Sequence, residues 1–118
     1  MPVPYSLHIH RRNDWSDRGQ DITLAEWQSL CEADPGLDLT GVAVARNPRT
    51  GEEIAIRSEG MARWDGPITA WFNLDRGRIT VNGTDEAIIA KAREIAERLG
   101  ARVQGDEGEF YAAEGSTL

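Results

Sequence analysis

The sequence has few of the features that assign a chain to a special class of protein. Cysteine occurs once, as Cys31, which excludes a disulfide within the chain and favours a reducing compartment, so we expect a cytoplasmic protein. No apolar run approaches the roughly 20 residues that span a bilayer, and residues 1–4 lack the basic and apolar regions of a secretory signal. The sequence therefore predicts no membrane contact.

Basic residues are also scarce, with 13 Lys and Arg against 20 Asp and Glu and a formal net charge of -7. Because nucleic-acid binding depends on basic side chains that displace counterions from phosphates, this balance argues against nucleic acid and anionic lipid as partners. An acidic surface keeps a domain soluble, and it also steers the domain towards a basic protein. Composition alone does not separate these two explanations.

The sequence patterns of common catalytic sites are missing. The serines lie in no Gly-x-Ser-x-Gly turn, and no glycine-rich phosphate loop precedes a helix. The acidic segment 105–109 has too few ligands, at the wrong spacing, for a calcium-binding loop. Acids on an exposed turn stay ionised, whereas a paired-carboxylate hydrolase needs one raised pKa. We therefore predict a protein that is not an enzyme and has no cofactor.

One histidine pair keeps an alternative open. His8 and His10 alternate along a strand, so both rings lie on the same strand face, where two imidazoles can share a metal. A metal site needs at least a third ligand, and no nearby residue supplies one. Cys31 lies on the apolar stripe of a helix, which favours a small core residue over a nucleophile or ligand. We predict no metal site, with a small metal protein or enzyme using His8 and His10 as the alternative.

Hydrophobic patterning predicts two helices. Thr23 and Glu26 form a capping box ahead of apolar residues at helical spacing, and Pro35 ends that helix. The second helix begins at Thr84 or Asp85 and ends before a left-handed Gly100. The face opposite its apolar stripe is polar and contains Lys91, Arg93, Glu94, Glu97 and Arg98.

Alternation and turn residues predict strands in the rest of the chain. The segments are residues 5–12, 42–45, 54–56, 61–64, 68–74, 79–81, 102–104 and 109–111. Residues 47–51 form the turn of a hairpin, and we interpret residues 42–81 as a meander with one buried face. The fold class is α+β: a largely antiparallel sheet of about five to six strands, with two helices packed on one face as a two-layer sandwich. Residues 1–118 form a single domain, and residues 112–118 are frayed.

Two aromatic residues are candidates for contact with a partner. Trp71 alternates with buried neighbours, so it points to the sheet face that two helices cannot cover, and Tyr111 follows the acidic turn. Packing against strand neighbours is the competing explanation for Trp71. We expect Trp15, Trp27 and Trp64 to lie in the core or at its edge.

Three segments carry a resemblance to a known group of proteins. They are Tyr-Ser-Leu-His-Ile-His-Arg at residues 5–11, Ile-Thr-Leu-Ala-Glu-Trp at residues 22–27, and Leu-Gly-Ala-Arg-Val-Gln-Gly-Asp-Glu-Gly-Glu at residues 99–109. Together they resemble small bacterial proteins that are similar to immunity proteins of polymorphic or secreted toxin systems. The resemblance implies an antidote that binds and blocks a cognate toxin. It transfers no defined functional residue to this chain.

These observations favour a non-enzymatic binding protein. We expect an immunity-type protein whose partner is a basic toxin domain, bound through an acidic and aromatic surface. The residues predicted to form that surface are Asp106, Glu107, Glu109, Tyr111 and Trp71. A structural or regulatory homodimer that pairs through the uncovered sheet face remains an alternative.

Overall fold

The computed structural model describes residues 5–111, and the frayed end predicted for residues 112–118 lies outside them. The described chain is an α+β fold in which every pair of neighbouring strands is antiparallel. Its elements are β1 (Ser6–His10), α1 (Leu24–Ala33), β2 (Leu37–Asp38), β3 (Val42–Arg46), β4 (Glu53–Arg57), β5 (Gly60–Asp65), β6 (Thr69–Asp75), β7 (Arg78–Asn82), α2 (Glu86–Leu99), β8 (Arg102–Gly105) and β9 (Phe110–Tyr111).

The strands form one large sheet and a separate hairpin. The sheet has seven strands in the order β2-β5-β6-β7-β1-β8-β9, and β3 pairs only with β4. The predicted α+β class and largely antiparallel sheet are confirmed, but the predicted five to six strands and continuous meander are wrong in detail. With only two residues, β2 is too short to show alternation, and the hairpin lies outside the large sheet.

The core lies between one face of the large sheet and the two helices. Leu7 and Ile9 of the interior strand β1 are fully buried there, beside Val81 and Ile79 of β7. Burying a large aliphatic side chain of this kind stabilises a fold by about 1.5–3 kcal/mol. Both helices add to the same cluster, with Trp27, Leu30, Cys31, Ile88, Ala92, Ile95, Ala96 and Leu99.

Local signals fix the helix ends as the sequence predicts. The capping box of α1 is present, with Glu26 N–H donating to the Thr23 hydroxyl and the Glu26 carboxylate accepting from Thr23 N–H. Asp85 caps α2, and Gly100 ends it at a φ of 62°, a conformation that favours glycine. Trp27 is held by its indole N–H, which donates to the carbonyl of Gly60 at 2.9 Å.

The position of Lys91 corrects one expectation. This residue, the only lysine of the chain, was expected on the polar side of α2, yet its side chain is only 8% exposed. It forms an ion pair with Asp34, the residue that follows α1, and a second with Glu94 at 3.0 Å. Lys91 lies at the border of the apolar stripe, and the end of α1 closes over it. The pair links the two helices.

The β3–β4 hairpin leaves apolar side chains in solvent. Val44 and Ile54 are each 50% exposed and Ile56 is 53% exposed. The buried face expected for this part of the meander is therefore wrong, since the large sheet and the helices pack without the outer part of the hairpin. All five residues of β4 are exposed.

Candidate functional site

The acidic segment 105–109 is the tight turn between β8 and β9. Gly105 N–H donates to the carbonyl of Glu109 at 2.8 Å, and Gly108 N–H donates to that of Gly105 at 3.0 Å. Gly108 has a φ of 91°, which an L residue with a side chain adopts only at a cost. The turn is thus closed by its own backbone, and its three carboxylates project around it.

Asp106 holds the turn to strand β1. Its carboxylate accepts the backbone N–H of Ser6 at 2.8 Å and lies 2.7 Å from Nε2 of His8. Because a carboxylate only accepts, Nε2 carries the proton. The residue predicted to face a partner therefore also has a structural task within the chain.

The carboxylate of Glu109 is held by two tyrosine side chains. It accepts hydrogen bonds from the hydroxyls of Tyr5 and, at 3.3 Å, Tyr111. The Tyr5 hydrogen bond lowers the pKa of Glu109, while desolvation and the same carboxylate raise the pKa of Tyr5 to about 12. Tyr111 packs partly against the core, and Glu107 is fully at the surface. Glu109 and Tyr111 thus lie on the side of the sheet edge that faces the core, whereas Asp106 lies on the opposite side.

Trp71 and Asp106 share the sheet face opposite the helices. Trp71 is half-buried on β6, directly opposite Arg63 of β5. Register places Trp71 in one cross-strand row with Asn82, Ser6 and Asp106. Three strand spacings separate the first and last of these, about 14 Å. The five predicted residues therefore lie at one end of the sheet, but on both of its faces.

The same end of the sheet collects acidic residues that the sequence disperses. At this end of the sheet β5, β7 and β8 end, and β1 and β6 begin. The connecting segments therefore meet there, and we define them as the acidic end: residues 5–6, 65–69, 82–87 and 105–109. None of these residues is Lys or Arg. Its carboxylates belong to Asp65, Asp85, Glu86, Asp106, Glu107 and Glu109.

Apolar side chains are exposed within and beside this acidic end. Ile68 is 38% exposed in the turn before β6, and Phe110 is 37% exposed at the start of β9. Ile68 and Trp71 supply apolar surface near the carboxylates, whereas the Phe110 ring lies 4.4 Å from the Arg102 guanidinium and 6.2 Å from the His10 ring, away from the carboxylates. Sequence reasoning missed Asp65, Asp85, Glu86 and Ile68 as members, because only the strand order brings their segments together.

The opposite end of the sheet is rich in arginine. We define the arginine end as residues 10–21, 74–78 and 98–102, where β1, β6 and α2 end. The buried Arg12 organises it, donating to the carbonyls of Gly19 at 2.7 Å and Arg76 at 2.6 Å and to Asp21 at 2.9 Å. These bonds fold residues 11–21 back onto the sheet.

Trp15 is the residue of this segment whose side chain packs on the sheet. Its ring is parallel to that of His8, with centroids 4.2 Å apart and planes 7° apart, and the Arg78 guanidinium lies 5.5 Å from its centroid. The expectation that Trp15 lies in the core or at its edge is wrong, whereas Trp27 and Trp64 belong to the core. The polar segment docks through Arg12, a contact that hydrophobic patterning does not reveal. Part of the face expected to be uncovered is therefore covered by the chain itself.

Gln104 satisfies the polar groups beneath Trp15. Its side-chain oxygen accepts from Nε2 of His10 and from the backbone N–H of Trp15, both at 2.8 Å. Its amide nitrogen donates to Asp14 at 3.0 Å and to the carbonyl of Gly108 at 2.9 Å. All four hydrogen-bonding positions of this buried amide are used. Gln104 thus joins residues 11–21 to the acidic turn, a role that no sequence pattern signals.

Both nitrogens of His10 are occupied. Nδ1 accepts the backbone N–H of Arg12 at 2.9 Å, so Nε2 carries the proton given to Gln104. Burial, and then the positive charges of Arg102 and Arg12, lower the pKa of His10. Within residues 5–111, no group of three or more His, Cys, Asp or Glu side chains is placed to hold a metal ion. Cys31 is buried, which raises its thiol pKa to about 11.

His8 lies between a hydroxyl and a carboxylate. Thr80 Oγ1 is 3.4 Å from Nδ1, and Asp106 is bonded to Nε2, the order of groups found in hydroxyl–imidazole–carboxylate triads. The ring is only 4% exposed, however, and Trp15 covers one of its faces. A substrate would reach it only after Trp15 moved. In this conformation the network links β7, β1 and the acidic turn.

In the part of the chain that the structure covers, neither helix has the length and apolar character needed to cross a membrane. Comparison of the chain with protein-family models, with curated proteins and with solved structures finds no match.

Proposed function

We propose that this chain is a non-enzymatic, immunity-type protein that binds and blocks a basic toxin domain through its acidic end. The observation that carries the proposal is the separation of charge along the strands. Six carboxylates and no basic residue lie in the turns at one end, although the chain as a whole has 13 Lys and Arg. A concentrated field of one sign steers a partner of opposite charge and raises its association rate.

The surface chemistry of the acidic end supports recognition of a protein. Interfaces combine an apolar or aromatic centre with a polar rim. Ile68 and Trp71 offer such apolar surface, and the carboxylates of Glu86 and Glu107 make no ion pair among the described residues. A toxin that acts on nucleic acid has a basic groove, to which this combination is complementary.

Two of the proposed contact residues are already held by hydrogen bonds within the chain. Asp106 and Glu109 already accept hydrogen bonds from Ser6, Tyr5 and Tyr111, so they contribute charge while their positions stay fixed. Glu107 and Glu86 are free to reorient towards a basic side chain. We assign the direct ion pairs to these two residues.

The first test is co-expression with a basic toxin-like domain encoded beside this chain. Restored growth and a stable purified complex are the expected result. The absence of such a neighbouring gene, or a toxin that neither forms a complex nor is neutralised, would remove the proposal.

The second test measures the contribution of the acidic end. Reversing charge in Glu86→Lys/Glu107→Lys should slow association about tenfold or more and flatten its salt dependence. A matched control, Glu52→Lys/Glu59→Lys, makes the same change in net charge near the ends of the hairpin and should have a smaller effect. Equal effects of the two pairs would show that only net charge matters and that the acidic end is not the binding surface.

Contacts within the chain restrict both alternatives, the homodimer and the metal protein. Residues 11–21 cover the sheet around β1, so pairing through the open face would be confined to the region around Trp71. Metal binding at His10 would require the ring to give up its hydrogen bond to Gln104 or to Arg12. His8 could keep its bond to Asp106 only by offering Nδ1, which lies 3.4 Å from Thr80 Oγ1. Metal analysis of the purified protein, with a His8→Ala/His10→Ala variant, tests the second alternative.

A further inference from the structure

Within residues 5–111 the outer edge of β4 has no paired strand, and its sequence is an apolar centre with opposite charges at its two ends. Among the described residues β4 pairs only with β3, and its five residues, Glu-Ile-Ala-Ile-Arg, are all exposed. An exposed edge with apolar side chains is a template for pairing with another strand. The hydrogen bonds and charges of β4 itself indicate which strand fits this edge.

Backbone hydrogen bonds show which residues of β4 face outward. Ser58 N–H donates to the carbonyl of Gly41 at 3.0 Å, and Asn47 N–H donates to that of Glu52 at 2.8 Å. Because hydrogen-bonded positions alternate along an antiparallel pair, Ile54 and Ile56 also direct their N–H and C=O groups at β3. Glu53, Ala55 and Arg57 direct theirs at solvent. This free edge is therefore a row of donors and acceptors from three residues.

We propose that two copies of this chain pair antiparallel through β4, about a two-fold axis at Ala55. In that register Glu53 lies opposite Arg57 of the second copy, Ile54 opposite Ile56, and Ala55 opposite its own equivalent. All directly hydrogen-bonded positions are the outward-facing ones, so each of the three residues donates and accepts across the axis. The two hairpins become one four-stranded sheet.

Charge and apolar contacts select this register over its neighbours. Side chains alternate across a strand, so both Glu53–Arg57 pairs lie on one face and the isoleucine pairs on the other. Sliding the strands by two residues places either Gly51 opposite Arg57 or Glu53 opposite Glu59 of the second copy, and both charge pairs are lost. Parallel pairing would set like charges side by side. Only the register centred on Ala55 places Glu53 opposite Arg57 at both ends of the strand pair.

The hairpin itself makes the residues available. Glu53 has Arg46 as its intrachain partner at 3.3 Å, an ion pair whose side chains are both mostly exposed, and such a pair is easily exchanged. Arg57 has no ion-pair partner among the described residues. A single strand pair gives an interface below the usual 1,200 Å², or about that size, so the dimer is weak. It is independent of toxin binding, because β4 lies outside the acidic end.

Sedimentation equilibrium of the full chain up to about 1 mM measures the dimer. Ala55→Pro removes an N–H that β3 does not use and should abolish dimerisation, with circular dichroism unchanged. Glu52→Lys, in the loop beside β4, is the control and should dimerise. A wild-type chain that is monomeric throughout this range, or a dimer that Ala55→Pro leaves intact, would overturn the proposal.

A charge exchange tests the register directly. Glu53→Lys and Arg57→Glu should each raise the dissociation constant roughly tenfold or more, because each homodimer then opposes like charges twice. A mixture of the two variants should dimerise about as well as the wild type, since the lysine introduced in one copy then meets the glutamate introduced in the other. Failure of the mixture to recover affinity would exclude this pairing even if a dimer exists.

Discussion

His8 Nε2 lies 2.7 Å from the carboxylate of Asp106, so the acidic turn is bonded to β1, an interior strand of the sheet. The two residues are separated by 98 positions in sequence. Their contact brings together the histidine pair and the acidic segment, the two most conspicuous polar features of the sequence. It explains why one carboxylate of the turn should behave differently from the next.

We predict that Asp106→Asn destabilises the protein by about 1–2 kcal/mol, because it weakens bonds to both His8 and the backbone of Ser6. Glu107→Gln is the matched change one residue later, at an exposed side chain, and should stay within about 0.5 kcal/mol of the wild type. Urea unfolding of both variants measures the difference. Equal stabilities would show that the His8–Asp106 contact contributes nothing to the fold.

Gln104→Leu should be among the most damaging single substitutions on this sheet face. It leaves the backbone N–H of Trp15 and the Nε2–H of His10 without their acceptor in a buried site, at about 1–3 kcal/mol for each group. Residues 11–21 should then detach from the sheet. Thermal unfolding measures the loss of stability, and a shift of tryptophan emission towards longer wavelength reports the release of Trp15. An unchanged emission spectrum would contradict the docking role of Gln104.

Protonation of His10 should make the protein less stable in mild acid. Burial lowers the pKa of the folded side chain below the usual 6.5, so the unfolded chain binds a proton that the folded chain does not. Stability is therefore fully present above pH 6.5 and falls as pH decreases towards the folded-state pKa. The slope from one such proton is at most about 1.4 kcal/mol per pH unit.

Denaturant unfolding between pH 7.5 and about 5 tests this expectation against His10→Gln, which keeps an amide donor but cannot titrate. The variant should be less stable at pH 7.5 and less sensitive to acid. A wild-type slope that the substitution leaves unchanged would assign the acid sensitivity to other groups.

The Lys91–Asp34 pair predicts a coupling between the helices. Lys91→Met leaves the carboxylate of Asp34 buried with only Arg98, 3.9 Å away, to compensate, and should cost about 2–4 kcal/mol. Adding Asp34→Asn removes the unpaired charge while keeping an acceptor for Gly36 N–H. The double variant should recover at least about 1 kcal/mol relative to strict addition of the single effects, measured by a double-mutant cycle. Additive effects would show that the two side chains are not coupled.

The sequence predicts those parts of the fold that depend on neighbouring residues. The capping box at Thr23, the left-handed Gly100 and the turn at residues 47–51 are local, and all three are present. The burial of Lys91 was not predictable in this way, because it depends on the position of Asp34 at the end of another helix. The same is true of Trp15, whose docking depends on Arg12 and Gln104.

The candidate site was predictable only in part, for a topological reason. Residues 105–109 are visible as an acidic segment, but Asp65 and Glu86 join them only through the order of the strands. Alternation correctly directs Trp71 to the face opposite the helices. It does not show that Glu109 and Tyr111 lie on the other side of the sheet edge from Asp106.

The separation of the acidic end from the arginine end also bears on how such a chain can diversify. Neighbouring antiparallel strands reverse direction at opposite ends, so the two sets of connecting segments share no residue. Substitutions of Glu86 and Glu107 can alter the surface of the acidic end while Arg12 and Gln104 continue to secure residues 11–21, whereas Asp106 and Gly108 are tied to Ser6, His8 and Gln104. Side chains such as Glu86 and Glu107 can therefore change without loss of the contacts that hold the two ends of the sheet together.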